Sequence, residues 1–285
     1  MLDRKLVETQ PFKNKIAVVV GGSKGIGKAT ATIIAQLGGS ICIIARSEDT
    51  LKKATQEIKE HRATAEQFVE YISCDATNME KLKPLIENFI KQYRIPDYLI
   101  NSVGYARPDY VQNLELKNFK SNMDINYYGQ LVPILVLLPY FMKSKSGHIA
   151  NVSSMMGYFG IVGYAAYAPT KFAIVGLTEV LRHELKPYNI KFSILYPPDT
   201  DTPGFEKENK TKPKECAIMS ERADLLCPED VAQEFVEGML KERFEILPGE
   251  AKFTWRMFRH FPKLVRNIID KDYKKAMKEI NRKIN

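Results

Sequence analysis

Tyr167 and Lys171 stand four residues apart in Tyr167-Ala168-Pro169-Thr170-Lys171. On a helix, residues at i and i+4 share one face. A free phenol titrates at about 10, too high for easy proton exchange at neutral pH. A neighbouring ammonium stabilises the phenolate and lowers that value. Tyr167 could then act as general acid toward a ketone, or as general base in the reverse direction. Pro169 falls in the first helical turn, where proline is tolerated. The spacing alone is common by chance, so its surroundings carry the weight. Ser154 lies 13 residues before Tyr167, after the apolar run that ends Asn151-Val152-Ser153-Ser154. A hydroxyl at a strand end can hydrogen-bond a substrate carbonyl. Asn126, in Met123-Asp124-Ile125-Asn126-Tyr127, could organise a water that relays protons to Lys171.

A second constellation sits near the start of the chain. The run Ile16–Val20 leads into Gly21-Gly22-Ser23-Lys24-Gly25-Ile26-Gly27 and then a helical stretch. Glycines at 21, 25 and 27 permit a tight turn and let backbone N–H groups approach a pyrophosphate, aided by the helix N-terminus. Position after a buried strand and before a helix is what makes a glycine pattern informative. The loop, with Ser23, Lys24 and Ile26 in it, therefore reads as a dinucleotide site. The next apolar run ends Ala45-Arg46-Ser47. Sites that prefer NAD place a carboxylate there for the ribose 2′-hydroxyl. A guanidinium stands instead, with Lys24 as a second cation, and both suit the 2′-phosphate of NADPH. Asp75 follows the third run and could accept from the adenine amino group or cap the next helix. Asn101 and Gly104, in Asn101-Ser102-Val103-Gly104, close the fourth run on the same edge.

The elements that must position these groups are legible. Short β-branched runs at 16–20, 41–45, 68–73, 98–101, 148–152 and 190–196 alternate with helical patterns at 29–37, 48–61, 78–93, 118–142 and 164–187. That alternation implies parallel βαβ units. Runs such as IAVVV and ICIIA are apolar throughout, which marks strands covered on both faces. The expectation is a Rossmann-type, doubly wound α/β domain over residues 13–250. Residues 199–227 are polar and proline-containing and read as a long loop over the site. A helix from Pro228 to about Lys241 and an edge strand in FEILPG complete the domain.

Composition narrows the class further. With 285 residues, 45% of them hydrophobic, the chain can bury a large core. Its charge of +8 is concentrated at one end: residues 251–285 hold 11 Lys or Arg against three Asp or Glu. The body is near neutral, which argues against a general nucleic-acid surface. The four cysteines and four histidines show no ligand spacing, so no metal site is expected. The longest apolar run, Leu131–Met142, falls short of the roughly 20 residues of a membrane span. No apolar leader is visible in MLDRKLVETQPFKNK. The chain is expected to be cytoplasmic.

Taken together, these motifs resemble the short-chain dehydrogenase/reductase family. The resemblance covers roughly residues 13–250 and rests on the glycine loop, the segment 101–104, Asn126, Ser154, Tyr167 and Lys171. It implies a catalytic tetrad of Asn126, Ser154, Tyr167 and Lys171, with Lys171 also holding the nicotinamide ribose. Ser154 is preferred over Ser153 because it is followed by x-x-Gly, ending at Gly157. Three departures stand out: Val20 in place of threonine, Ser102-Val103 in place of Asn-Ala, and Tyr196-Pro197-Pro198 in place of Pro-Gly. The last implies a stiffer loop at Pro197 beside the nicotinamide. Thr200 or Thr202, Thr202 by preference, would bind the carboxamide.

Within the family, residues 196–213, 171–177 and 185–189 are similar to the branch that reduces 3-ketosphinganine to sphinganine. That resemblance implies an NADPH-dependent enzyme of sphingolipid synthesis. Reduction of another hydrophobic ketone, a steroid or a β-ketoacyl compound, is the near alternative. A non-catalytic NADPH-sensing module is a more distant one. The substrate's ammonium would find an acidic cluster in Asp199, Asp201 and Glu206, with Asp199 or Asp201 pairing to it or simply bonding the local backbone. Residues 155–162 could line the mouth for an alkyl tail. The tail of the chain reads as a basic amphipathic helix, suited to an anionic membrane surface or to docking on the protein's own body. The apolar helix around 132–142 and the helix carrying Tyr167 would pack against their counterparts in a homodimer or homotetramer.

Overall fold

The computed structural model describes residues 4–284. In chain order the elements are α1 (Arg4–Thr9), β1 (Ile16–Val20), α2 (Gly25–Gln36), β2 (Ser40–Ala45), α3 (Glu48–Glu60), β3 (Val69–Ser73), α4 (Met79–Gln92), β4 (Tyr98–Asn101), α5 (Leu116–Met123), α6 (Gly129–Ser144), β5 (Gly147–Val152), α7 (Ala168–Glu184), β6 (Ile190–Leu195), α8 (Pro203–Asn209), α9 (Lys214–Ser220), α10 (Pro228–Leu240), β7 (Glu245–Ile246), α11 (Ala251–His260) and α12 (Pro262–Ile284).

The strands form one parallel sheet in the order β3-β2-β1-β4-β5-β6-β7. Strand β1 explains why both faces are covered. Its Ala17 and Val19 enter one apolar core with Ile34, Leu51 and Phe235, from α2, α3 and α10. Its Ile16, Val18 and Val20 enter the other with Leu82, Ile134, Leu137 and Phe192. A strand facing two cores has no solvated side, so it reads as a continuous apolar run.

Strand order reverses between β1 and β4, which opens a crevice at the carboxyl ends of those strands. The register brings those ends level: Val20 pairs with Ile44 and with Asn101, Asn101 with Asn151, and Val152 with Leu195. Hence Gly21, Ser102, Ser153 and Tyr196, one residue further on, all emerge at one edge.

Four expectations need correction. The region 118–142 is not one α-helix, because a π-helical turn at Asp124–Tyr128 separates α5 from α6. Counted through that turn, 116–144 is a continuous helical run of 29 residues, apolar enough by length and composition to cross a membrane. About half of its apolar window is buried inside the fold, where α6 packs on α4, β4 and β5. The helix expected from 164 begins at Ala168, since Tyr164–Tyr167 are held as turns. Residues 199–227 are not an uninterrupted loop. Thr202 caps α8 by accepting from the Phe205 N–H, with Pro203 at the first helical position. Buried Glu215 and Cys216 then anchor α9. Charge density across this stretch hides both short helices from a periodicity argument.

The basic tail is helical, as expected, and one face of it docks on the body. In α12, Val265 and Ala276 are buried, while Asp272 and Glu279 pair with Arg222 just beyond α9. Flanking that face, Phe261, Leu264 and Ile268 are 57%, 48% and 53% exposed.

Candidate active site

The glycine turn is shaped by close approach. Gly21 has φ +79°, and a β-carbon there would lie 2.8 Å from the Ser102 carbonyl carbon and the Val103 nitrogen. At Gly27 it would lie 2.4 Å from the Gly21 oxygen. Gly25 has φ +54°, and a β-carbon there would lie 3.0 Å from Thr202 Cγ2. Such φ values suit glycine. Lys24 sits at the N-cap of α2 in extended backbone and makes no capping bond with its side chain. The first N–H groups of α2 therefore remain available beside Ser23, while Ile26 packs down on the core. A bare backbone and a free helix N-terminus fit a pyrophosphate.

Arg46 and Lys24 are exposed and form no ion pair among the described residues. A cavity of about 840 Å³ is lined by Arg46, Ser73, Cys74, Asp75 and Thr77. Asp75 Oδ1 accepts from the Thr77 N–H at 3.0 Å and from its hydroxyl at 2.9 Å. Asn78, accepting from the Lys81 N–H, is the cap of α4, so Asp75 does not cap that helix, and its carboxylate stands at the cavity wall. Asn101 lies deeper. It is fully buried, its Nδ2 donates to Asn151 Oδ1 at 2.9 Å, and Asn151 in turn donates to Thr178. Its side chain braces β4 against β5 and, through Asn151, α7. Gly104 is placed against Lys171: a β-carbon there would lie 3.5 Å from Nζ.

The two serines at the end of β5 have separate tasks. Ser153 is buried and its hydroxyl donates to the Lys171 carbonyl at 3.0 Å. Ser154 is partly exposed and its Oγ accepts from the Met156 N–H at 3.1 Å. That leaves its O–H to donate. The Ser154 hydroxyl lies near the Tyr167 phenol. Burial raises the Tyr167 pKa, the charge of Glu208 raises it further, and the nearby Ser154 hydroxyl opposes both. Burial thus opposes the lowering expected from the Tyr-x-x-x-Lys spacing. Lys171 Nζ lies 5.5 Å from the ring centroid, and burial brings its own pKa down to about 7. Desolvation disfavours the charged form of both groups.

Asn126 is fully buried at the π-turn. Its Oδ1 accepts from the Tyr105 N–H at 2.8 Å, and its Nδ2 donates to the Tyr105 carbonyl at 2.9 Å and to Thr170 Oγ1 at 3.0 Å. Both N–H groups of that amide are engaged, and Oδ1 accepts one donor. The side chain clamps the segment after β4 to the start of α7, beside Lys171.

The segment after β6 lies across this edge. The Pro197 carbonyl accepts from the Met155 N–H at 3.2 Å. Thr200 is buried and donates to the Pro198 carbonyl at 2.9 Å, so its hydroxyl is internal to the loop. Thr202, at the head of α8, faces the glycine turn. Of the expected acidic cluster, Asp201 and Glu206 are exposed, and Asp199 accepts from the Ser220 hydroxyl. In the mouth region, Tyr158 and Phe159 each lie 6.2 Å from the Phe258 ring of α11. Ile161 and Val162 line an apolar cavity of about 490 Å³ with Val111, Ala165 and Ala168.

Glu208, Tyr164 and Lys212 were not singled out from the sequence. The Tyr164 hydroxyl donates to Glu208 Oε1, and the two rings of Tyr164 and Tyr167 are 5.8 Å apart. Lys212 Nζ is 3.7 Å from the same oxygen, donates to Ser220 Oγ at 3.1 Å and is almost wholly buried. The signal available was the i, i+4 spacing of Glu208 and Lys212, which in so charged a stretch reads as a solvated pair.

Comparison with known proteins agrees with this geometry. Residues 15–213 match the short chain dehydrogenase family. A protein of Bos taurus named 3-ketodihydrosphingosine reductase is 39% identical over 231 residues, 80% of this chain and 69% of its own. A 3-dehydrosphinganine reductase of Danio rerio is 38% identical, covering 84% of this chain and 73% of its own. Among solved structures, a 3-oxoacyl-[acyl-carrier protein] reductase from Brucella melitensis superposes with TM-score 0.71 at 22% identity, over 81% of this chain and 87% of that one. LigD from Sphingobium gives TM-score 0.71 at 20% identity, over 94% and 97%. These last two share the fold. With its glycine turn, its Ser154–Tyr167 pair and Lys171 on one edge of a doubly wound sheet, the chain belongs to the short-chain dehydrogenase family and is an oxidoreductase.

Proposed function

We propose that the chain reduces 3-ketosphinganine to sphinganine with NADPH, Tyr167 donating the proton. The observation that carries this reading is the pairing of Tyr167 with Ser154, in a chain whose relatives at 38–39% identity are named for that ketone. When bound, the nicotinamide group supplies hydride to the carbonyl carbon. Backbone N–H groups of the 21–27 turn and the α2 N-terminus would hold the pyrophosphate. Arg46 and Lys24 would take the 2′-phosphate, Asp75 the adenine, Lys171 the ribose hydroxyls and Thr202 the carboxamide. Ser154 donates to the substrate carbonyl oxygen and polarises it. Tyr167, protonated at neutral pH because burial raises its pKa, hands its proton to that oxygen. Lys171 and Asn126 keep this face of α7 fixed against the segment after β4.

The tail supports residence at a lipid surface. Phe253, Phe261, Leu264 and Ile268 project outward among Lys252, Arg256, Lys263 and Arg266, and α11 adjoins the loop that follows Ser154. A basic amphipathic face of this kind fits anionic headgroups. Exposed Leu135 on α6 and Phe172 and Val180 on α7 fit pairing of two copies.

NADPH oxidation with 3-ketosphinganine, a steroid ketone and a β-ketoacyl thioester tests the proposal. The sphingoid ketone should be consumed fastest, and Tyr167→Phe should abolish its turnover. Preference for either other ketone overturns the substrate assignment. Absence of turnover with all three would point to a nucleotide-binding module.

A further inference from the structure

The proposed substrate carries an ammonium on the carbon next to its ketone. A site that binds it near Tyr167 needs a carboxylate close by, since a desolvated cation without a partner is costly. Several lid carboxylates are poor fits. Asp201 and Glu206 point to solvent, and Asp199 already accepts from Ser220. Glu208 differs. It is carried by α8, is mostly buried, and is tied through Tyr164 to the ring that neighbours Tyr167. Tyr164 and Lys212 both address its Oε1, and Oε2 has no hydrogen-bond donor among the described residues.

We propose that Glu208 Oε2 receives the substrate ammonium, making Glu208 the residue that selects α-amino ketones over plain ketones. Three features support the assignment. Tyr164 orients the carboxylate, so little rotamer freedom is lost on binding. Lys212 neutralises it only partly, at 3.7 Å with its own hydrogen bond to Ser220 and its ammonium 4.3 Å from the Phe205 ring centroid. Burial raises the Glu208 pKa despite Tyr164 and Lys212, and a ligand cation would favour its charged form. The inference rests on the functional reading above.

The test compares kcat/KM for 3-ketosphinganine with that for its N-acetylated form, whose amine cannot be charged. The wild-type enzyme should favour the free amine about 30-fold, as a charge-assisted hydrogen bond allows. Glu208→Gln keeps an acceptor for Tyr164 and removes the charge. It should bring the ratio close to one, mainly through KM. Glu208→Asp, which keeps the charge, should retain a preference, and Asp199→Asn and Asp201→Asn should keep the wild-type ratio. An unchanged ratio in Glu208→Gln, or its loss in Asp199→Asn, overturns the proposal while leaving the reductase assignment intact. Failure of the wild-type enzyme to turn over either ketone removes both readings together.

Discussion

Lys171 Nζ donates to the main-chain carbonyl of Val152 at 3.0 Å. The same carbonyl accepts from Gln130 Nε2 at 3.0 Å, so the last residue of β5 gathers donors from α6 and α7. The lysine is thereby satisfied inside the fold, 2% exposed, without an ion-pair partner among the described residues.

That placement has a consequence for stability. Folding lowers the Lys171 pKa from 10.5 to about 7. Between those values the unfolded chain holds a proton that the folded chain has released, so stability rises with pH across the window. The slope contributed is at most about 1.4 kcal/mol per pH unit. Urea unfolding of the cofactor-free protein should show this rise, and Lys171→Met should flatten it. Parallel curves for the two proteins would contradict a buried, neutral lysine.

The neighbouring serines give a sharper contrast. Ser154→Ala should abolish ketone reduction without loss of stability. Ser153→Ala should preserve chemistry and cost about 1–2 kcal/mol, the range for a buried hydrogen bond. A β-carbon at Gly157 would lie 2.3 Å from Ser153 Oγ, so Gly157→Ala must displace that hydroxyl from Lys171. The double variant Ser153→Ala/Gly157→Ala should therefore cost less than the sum of the two singles. Strict additivity in thermal or chemical unfolding would remove this coupling.

The proposed NADPH preference rests on Arg46 and Lys24, exposed cations without an ion-pair partner among the described residues. Replacing both Arg46 and Lys24 by alanine should raise KM for NADPH about 100-fold, given two charge-assisted contacts to phosphate. KM for NADH should move little. Equal weakening of both nucleotides would mean that these side chains serve the pyrophosphate or the loop itself.

The tail invites a test subtler than deletion, because Val265, Ala276 and the Arg222 pairs hold it to the lid helix α9. Removing it would strip the cover from that face. Phe261→Ser, Leu264→Ser and Ile268→Ser together change only the half-exposed apolar stripe beside the docked face. The triple variant should keep its melting temperature and lose sedimentation with anionic vesicles. Retained binding would assign the stripe to another surface.

What the sequence determined by itself was local. The glycine turn, the i and i+4 placement of Tyr167 and Lys171, and the strand limits at 16–20 and 98–101 depend on neighbours in the chain. Backbone sterics and periodicity act over such distances, so residue order reveals them. The double coverage of β1 was legible too, since burial on both faces leaves no polar position.

Tertiary structure decided the rest. Asn126 and Lys171 have side chains able to organise a proton relay, yet their hydrogen bonds go to Tyr105, Thr170 and Val152, partners up to 44 residues away. The Tyr167 phenol is raised where local spacing suggested lowering, because removal from water and the charge of Glu208 act on it, while burial also lowers the Lys171 pKa. Glu208 gains its meaning from Tyr164, 44 residues earlier, across a contact no pattern within α8 encodes. Desolvation and long-range hydrogen bonding depend on what folds over a residue, and the order of residues along a chain does not display that.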